Sequence, residues 1–245
     1  IAFSNIILVS APTYLILLLA HIPAGIGWGS SGPIGGIHAQ LIERHSGKII
    51  SPYYAMGFNI GIFIGGILAG FILGNNMNPT FVFFILFFLS AIVSFIIFIN
   101  GLPKDLDFKG EGEKLKIPEK NVLIFGLLLF VIFGSNGIII DWSALWFTKE
   151  LNAPLYLASL GLIFLSFGGI FANLFSNQLI NLFSEKIVGC YFVIFGSLIL
   201  FSSIIIGNFY FILITFFFYG FLTANLVPII IRQAVKHSSE SIPTT

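Results

Sequence analysis

Seven nearly uncharged stretches, each long enough to cross the hydrocarbon core of a bilayer, follow one another along this chain. They occupy 14–41, 50–73, 80–101, 121–147, 154–182, 187–206 and 209–231, and a spanning helix needs about 20 apolar residues. Only 9% of the residues are charged and mean hydropathy is +1.03, against about 25% charged in soluble domains. No soluble packing hides so much apolar surface, so the solvent is lipid. In lipid the backbone polar groups must be paired within the structure, which leaves helices or closed barrels. Barrel strands read as short alternating segments, and the runs here are continuous. The sequence therefore predicts an all-α integral membrane bundle of about eight crossings. Residues 1–12 read as the end of a first, incomplete crossing, and the chain reads as an internal piece of a longer protein.

Sidedness follows from the cations, because cytoplasmic loops retain Lys and Arg. Alternating the loops places Arg44, Lys48, Lys104, Lys109, Lys114, Lys116, Lys120, Lys186, Arg232 and Lys236 on one side, with Lys149 alone on the other. One missed span would scramble that split, so the asymmetry also supports the span count.

Residues 102–120, LPKDLDFKGEGEKLKIPEK, concentrate charges of both signs with Pro and Gly, the composition of a solvated linker. This segment divides the chain into 1–101, the linker 102–120, and 121–245, with four spans on each side. The halves share a pattern: AGIGWGSSGPIGGIHAQLIERHS from Ala24 and YGFLTANLVPIIIRQAVKHS from Tyr219. Gly25 and Pro33 carry the same spacing as Gly220 and Pro228, and both runs close on a basic residue followed by His-Ser. Both spans run from outside to inside. Parallel repeats about an axis along the membrane normal organise one large class of transporters.

Within the span 121–147, the stretch GSNGIIIDWSALWF places Asp141 in an otherwise apolar run. An ionisable group at membrane depth is costly and points to function by default. Gly134, Gly137 and Asp141 fall at i, i+3 and i+7 on one helical face without bulky side chains, suited to a cavity wall or a close helix neighbour. The alternative is a cap at the outer interface paired with Lys149. Trp142 is placed either to stack on a ring or to anchor at the interface, where Trp is enriched. Trp28 lies among glycines at mid-span, His21 in the outer half of the same helix, and Asn225 in the last span; with Asn136 these complete the candidate substrate or coupling set. Gly57, Gly61 and Gly65, with Gly66 and Gly70, form small-residue stripes of the kind that bring membrane helices together. The Phe-rich runs 81–88 and 209–218 are expected to face lipid.

Other chemistries are excluded by context. GWGSSG, from Gly27 to Gly32, spells a dinucleotide fingerprint but lacks the strand and the acidic residue that give it meaning. HAQLIERH does not have zinc-protease spacing, and the lone Cys190 excludes an internal disulfide framework. No cofactor, no metal, no enzymatic activity and no nucleic-acid partner are expected. The expected partners are a small solute, protons as the candidate coupling ion and the lipid bilayer, with the protein itself a monomer.

The run from Gly25 to Gly70 and the segment NGIIIDWSALW from Asn136 resemble corresponding parts of the major facilitator superfamily. More narrowly, they resemble a bacterial fucose-permease-like subgroup whose seventh helix ends in the pattern E-G-x-x-x-D-W-S-A. The resemblance covers nearly the whole chain and implies helices three to ten of twelve in two pseudo-symmetric halves, in a bacterial cytoplasmic membrane. It implies a secondary transporter working by alternating access, with a proton-coupled sugar-type permease as the first reading. A multidrug-type exporter or a degenerate, non-transporting paralogue is the alternative. Asn136 stands where the subgroup has Glu and Gly36 where it has Asn, while Asn173, Asn181 and Leu182 occupy positions of expected charge. The resemblance also implies that 14–41, 121–147 and 209–231 line a central cavity.

Overall fold

The computed structural model describes residues 6–8, 10–47, 50–99 and 120–236, so the expected linker 102–120 lies almost wholly outside the described residues. The helices are α1 Tyr14–Ser46, α2 Ser51–Gly74, α3 Pro79–Ile99, α4 Lys120–Lys149, α5 Leu160–Leu174, α6 Ser176–Lys186, α7 Phe192–Ile206, α8 Phe209–Thr223 and α9 Leu226–Lys236. A 3-10 turn at Leu155–Leu157 precedes α5, and a π turn at Ile187–Tyr191 joins α6 to α7. Among the described residues there is no strand. Six helical segments are long and apolar enough to cross a membrane, and Phe83–Ile99 is a shorter apolar helix. The fold is an all-α membrane bundle, as the apolar runs require.

Contacts divide the chain into two units. The first combines Ile1–His45 with Asn76–Lys116 and contains α1 and α3. α1 stays helical through Pro23 and Pro33. A Cβ at Gly25, Gly29, Gly32 or Gly36 would meet nothing within 4 Å. In α3, Phe81, Phe84 and Phe88 are exposed.

The second unit combines Ser46–Asn75 with Ile117–Thr245 and has a dense centre. There α5 and α8 meet backbone on backbone. A Cβ on Gly168 would land on the Phe217 carbonyl oxygen, and one on Gly220 would land on the Leu165 carbonyl oxygen. Neither position accepts any side chain. Leu165 lies opposite Gly220 and Ala172 opposite Asn225, so residue numbers rise together and the helices run parallel. α2 crosses the other flank of α5. Asn59 lies against Gly169, Phe63 stacks on Phe167 with ring centroids 5.6 Å apart, Gly66 meets Ile163, and Gly70 meets Ser159. Numbers rise on one helix as they fall on the other, so α2 is antiparallel to α5. These are the relative directions that the loop charges assign to the three spans.

One face of α8 becomes core. Ile212, Leu213 and Phe216 are buried and cluster with Phe147 of α4, which corrects the expectation that the run 209–218 faces lipid. Tyr210, Ile214 and Phe218 are exposed; the run has two faces because the glycine crossing draws one of them against α5.

The last predicted span is interrupted. α8 ends at Thr223 and α9 starts at Leu226, with Pro228 in its first turn. Proline has no N–H for the carbonyl four residues earlier and its ring clashes there, which puts the break at Ala224. The span predicted to end at 182 and the next one are separated at Ser184, whose φ of 67° and ψ of 156° fall outside the helical range.

The glycine crossing makes a direct prediction. Gly168→Ala or Gly220→Ala should prevent close docking of α5 and α8 and destabilise the bundle by about 3 kcal/mol or more, the upper end for an overpacked core. Gly126→Ala, where a Cβ meets nothing within 4 Å, should shift stability by no more than about 1 kcal/mol, the scale of helix propensity. Thermal unfolding in detergent, followed by size-exclusion chromatography, measures both.

Candidate functional site

α4 carries the carboxylate, and its seating decides where that carboxylate points. Phe147 is fully buried, with rings of Phe209 and Phe216 at 5.3 and 5.7 Å, and it also packs on Gly161 of α5. Ile139 packs against the same core and Ser143 is 4% exposed. Ile139, Ser143 and Phe147 recur every four residues and define the docked face of α4. A helix turns about 100° per residue, so Asp141 lies about 160° round from Ser143. Asp141 is exposed. Gly134 and Gly137 share its face, and a Cβ at either would meet nothing within 4 Å. The small-residue face is thus the open face of the helix.

Asp141 has no hydrogen bond and no ion pair among the described residues, and Lys149 does not reach it; Arg232 pairs instead with Glu185 at 3.2 Å. Trp142, next to Asp141, is 61% exposed. Asn136 differs. It lies within about 20° of Ser143, on the docked side and partly buried, so the structure does not bring Asn136 and Asp141 together on one face.

The remaining candidates are placed separately. His21 of α1 is exposed and donates Nδ1–H to the Leu17 carbonyl at 2.7 Å. The side chain of Trp28 lies outside the described residues. Asn225 is 1% exposed and donates its amide to the Ala172 carbonyl at 3.1 Å. It therefore sits inside the second unit, between α5 and the α8–α9 break, rather than on an open face. Of the stripe glycines, Gly66 and Gly70 meet α5, whereas a Cβ at Gly57, Gly61 or Gly65 would meet nothing within 4 Å.

Several residues that shape the site carried no strong signal in the sequence. Gly168 and Gly220 are two among 26 glycines, and nothing local says which glycine faces a backbone. Phe147 is one of 30 phenylalanines. The pair Glu185–Arg232 joins α6 to α9, and Gln233 donates to the same carboxylate. No group of three or more His, Cys, Asp and Glu among the described residues could hold a metal ion.

The sequence model of the Major Facilitator Superfamily matches residues 1–244. The chain belongs to the major facilitator superfamily. A relative from Yersinia pestis, described as an uncharacterized MFS-type transporter, is 24% identical over 238 residues; the match covers 93% of this chain and 59% of the relative. No solved structure matches the chain. Superfamily membership and the six apolar spans make it an integral membrane protein.

For a superfamily member, seating a helix and exposing a carboxylate are separable. Phe147→Ala should cost about 3–5 kcal/mol, the range for truncating a buried Phe, whereas Asp141→Ala should change stability by no more than about 0.5 kcal/mol, as at contact-free surface positions. Comparing the two melting curves in detergent checks that Asp141 is not a structural cap.

Proposed function

We propose that this chain is the central part of a secondary transporter that carries a small solute across a bacterial cytoplasmic membrane. In this reading Asp141 is its coupling or substrate-orienting carboxylate. The observation that carries the proposal is the position of Asp141: exposed, unpaired and opposite the docked face of α4. A carboxylate turned to hydrocarbon costs a few kcal/mol on insertion scales, so a face that holds one together with two glycines is best explained as the wall of a water-filled path. The Yersinia pestis relative, described as an MFS-type transporter, supports the same reading.

In this reading the halves 1–101 and 121–245 rock against each other, with 102–120 as their cytoplasmic connection. Spans 121–147 and 209–231 border the path, and Trp142 contributes beside Asp141. Trp28 and His21 of span 14–41 stay candidates for the same role, and the solute is neutral and hydroxyl-bearing, such as a sugar. Aromatic faces stack on the apolar side of such a solute, and a carboxylate accepts hydrogen bonds from its hydroxyls. With Asn rather than Glu at 136, this helix has one titratable group fewer than the subgroup pattern, so proton coupling rests on Asp141, on His21 or on another helix of the full-length protein.

Reconstitution of the full-length protein into proteoliposomes tests this. Sugar accumulation driven by an inward proton gradient is expected, and Asp141→Asn should abolish accumulation by about 100-fold, the scale of losing one essential proton-transfer group. Counterflow exchange should survive. Gradient-driven accumulation by Asp141→Asn at the wild-type level would refute the role of the carboxylate, and absence of flux for every solute class tried would refute transport.

A further inference from the structure

Two asparagines lie where helices break inside the second unit. Asn173 stands in the last turn of α5, just before Phe175 leaves the helical range at φ −99° and ψ 13°. Asn225 stands at the α8–α9 break that Pro228 imposes, and its Nδ2 donates to the carbonyl of Ala172, the residue before Asn173. Both are enclosed: Asn173 is 2% exposed and Asn225 1%. Yet neither Nδ2 nor Oδ1 of Asn173 has a protein partner, and Oδ1 of Asn225 has none. Pro228 has no N–H to offer the Ala224 carbonyl.

Buried polar atoms in a native fold are almost always paired, with protein or with ordered water. The enclosure of Asn173 and Asn225 limits the partner. The described residues already cover both side chains, so another helix has no side from which to approach, and the missing partner must be small. The balance of donors and acceptors limits it further. A bare cation would meet the carbonyl and amide oxygens and leave the Asn173 N–H groups unmet; an anion would do the reverse. Water accepts from one neighbour and donates to two others, and ordered water is a recognised way to satisfy backbone groups freed at helix breaks in membranes.

We propose that Asn173 and Asn225 form an internal water site at the joint between α5 and the α8–α9 break. One bound water accepts from Asn173 Nδ2 and donates to Asn225 Oδ1, and a second donates to Asn173 Oδ1 and to the Ala224 carbonyl at the break. They replace main-chain bonds that α8 and α9 cannot make across Pro228, so the discontinuous span keeps its polar groups satisfied at membrane depth. The Glu185–Arg232 pair lies two turns farther along α9.

Two measurements on the full-length protein in detergent test the site. In wild-type protein labelled with ¹⁵N-asparagine, the Asn173 side-chain amide, assigned by its loss in Asn173→Ser, should show a cross-peak to water. Asn173→Leu, similar in volume, should unfold several degrees below wild type, because it removes the water's donor and strands Asn225 Oδ1. The water cross-peak supports the site even where Asn173→Leu fails to fold. Its absence overturns the site whatever the variant does, and unfolding of Asn173→Leu above wild type overturns it as well, since a dry unpaired amide is better replaced by leucine. Stabilisation of wild type by sodium over choline chloride, lost in Asn173→Leu, would overturn it in favour of a cation.

Discussion

The contact between α5 and α8 at Gly168 and Gly220 is the constraint from which the second unit follows. Helices in lipid gain little from hiding apolar side chains, since the surrounding tails are equally apolar; close backbone approach and van der Waals packing take that role. Once the Phe217 and Leu165 carbonyls rest where a Cβ would otherwise stand, α8 presents Ile212 and Phe216 as a wall and α4 seats Phe147 against it. α2 completes the other flank of α5 through Gly66 and Gly70. The Asn225 to Ala172 bond lies one turn beyond the same crossing, so the break in the last span is held by the contact that organises the core.

This arrangement separates support from function along α4. The docked face is made of Ile139, Ser143 and Phe147, and the open face of Gly134, Gly137 and Asp141. Rigid seating of one face fixes the direction of the other without any bond to the carboxylate itself. A residue free of partners in its own unit can change its interactions as its surroundings change, which is what a coupling group in an alternating-access protein has to do. α1 carries a comparable open face, where His21, Gly25, Gly29, Gly32 and Gly36 recur at helical spacing.

The class of the fold was legible because lipid imposes length and composition directly: the spans 50–73, 80–101 and 121–147 each hold one helix within two residues of the expected limits, while 154–182 and 209–231 are each divided between two helices. The shared face of Gly134, Gly137 and Asp141 was also legible, since helical spacing alone determines it. What lies opposite a face was not. Gly57, Gly61 and Gly65 repeat as regularly as any packing stripe, yet their Cβ sides are open, and the helix docks through Gly66 and Gly70 instead. The run 209–218 reads as uniformly oily, and only the partner helix distinguishes Phe216 from Phe218. Asn225 was visible as a polar residue in a span, but its enclosure depends on Ala172, which is 53 residues away. Spacing within one helix gives faces; pairing between helices requires the tertiary structure.

The central claim is that the open face of α4 borders water while the docked face does not. Cysteine accessibility in the full-length protein measures this most directly, in a Cys190→Ser background because Cys190 is itself exposed. With charged, membrane-impermeant thiol reagents, Asp141→Cys should be modified and Ser143→Cys should be inert. An Asp141→Cys thiol that reacts only with lipophilic reagents would place that face against hydrocarbon and contradict the account.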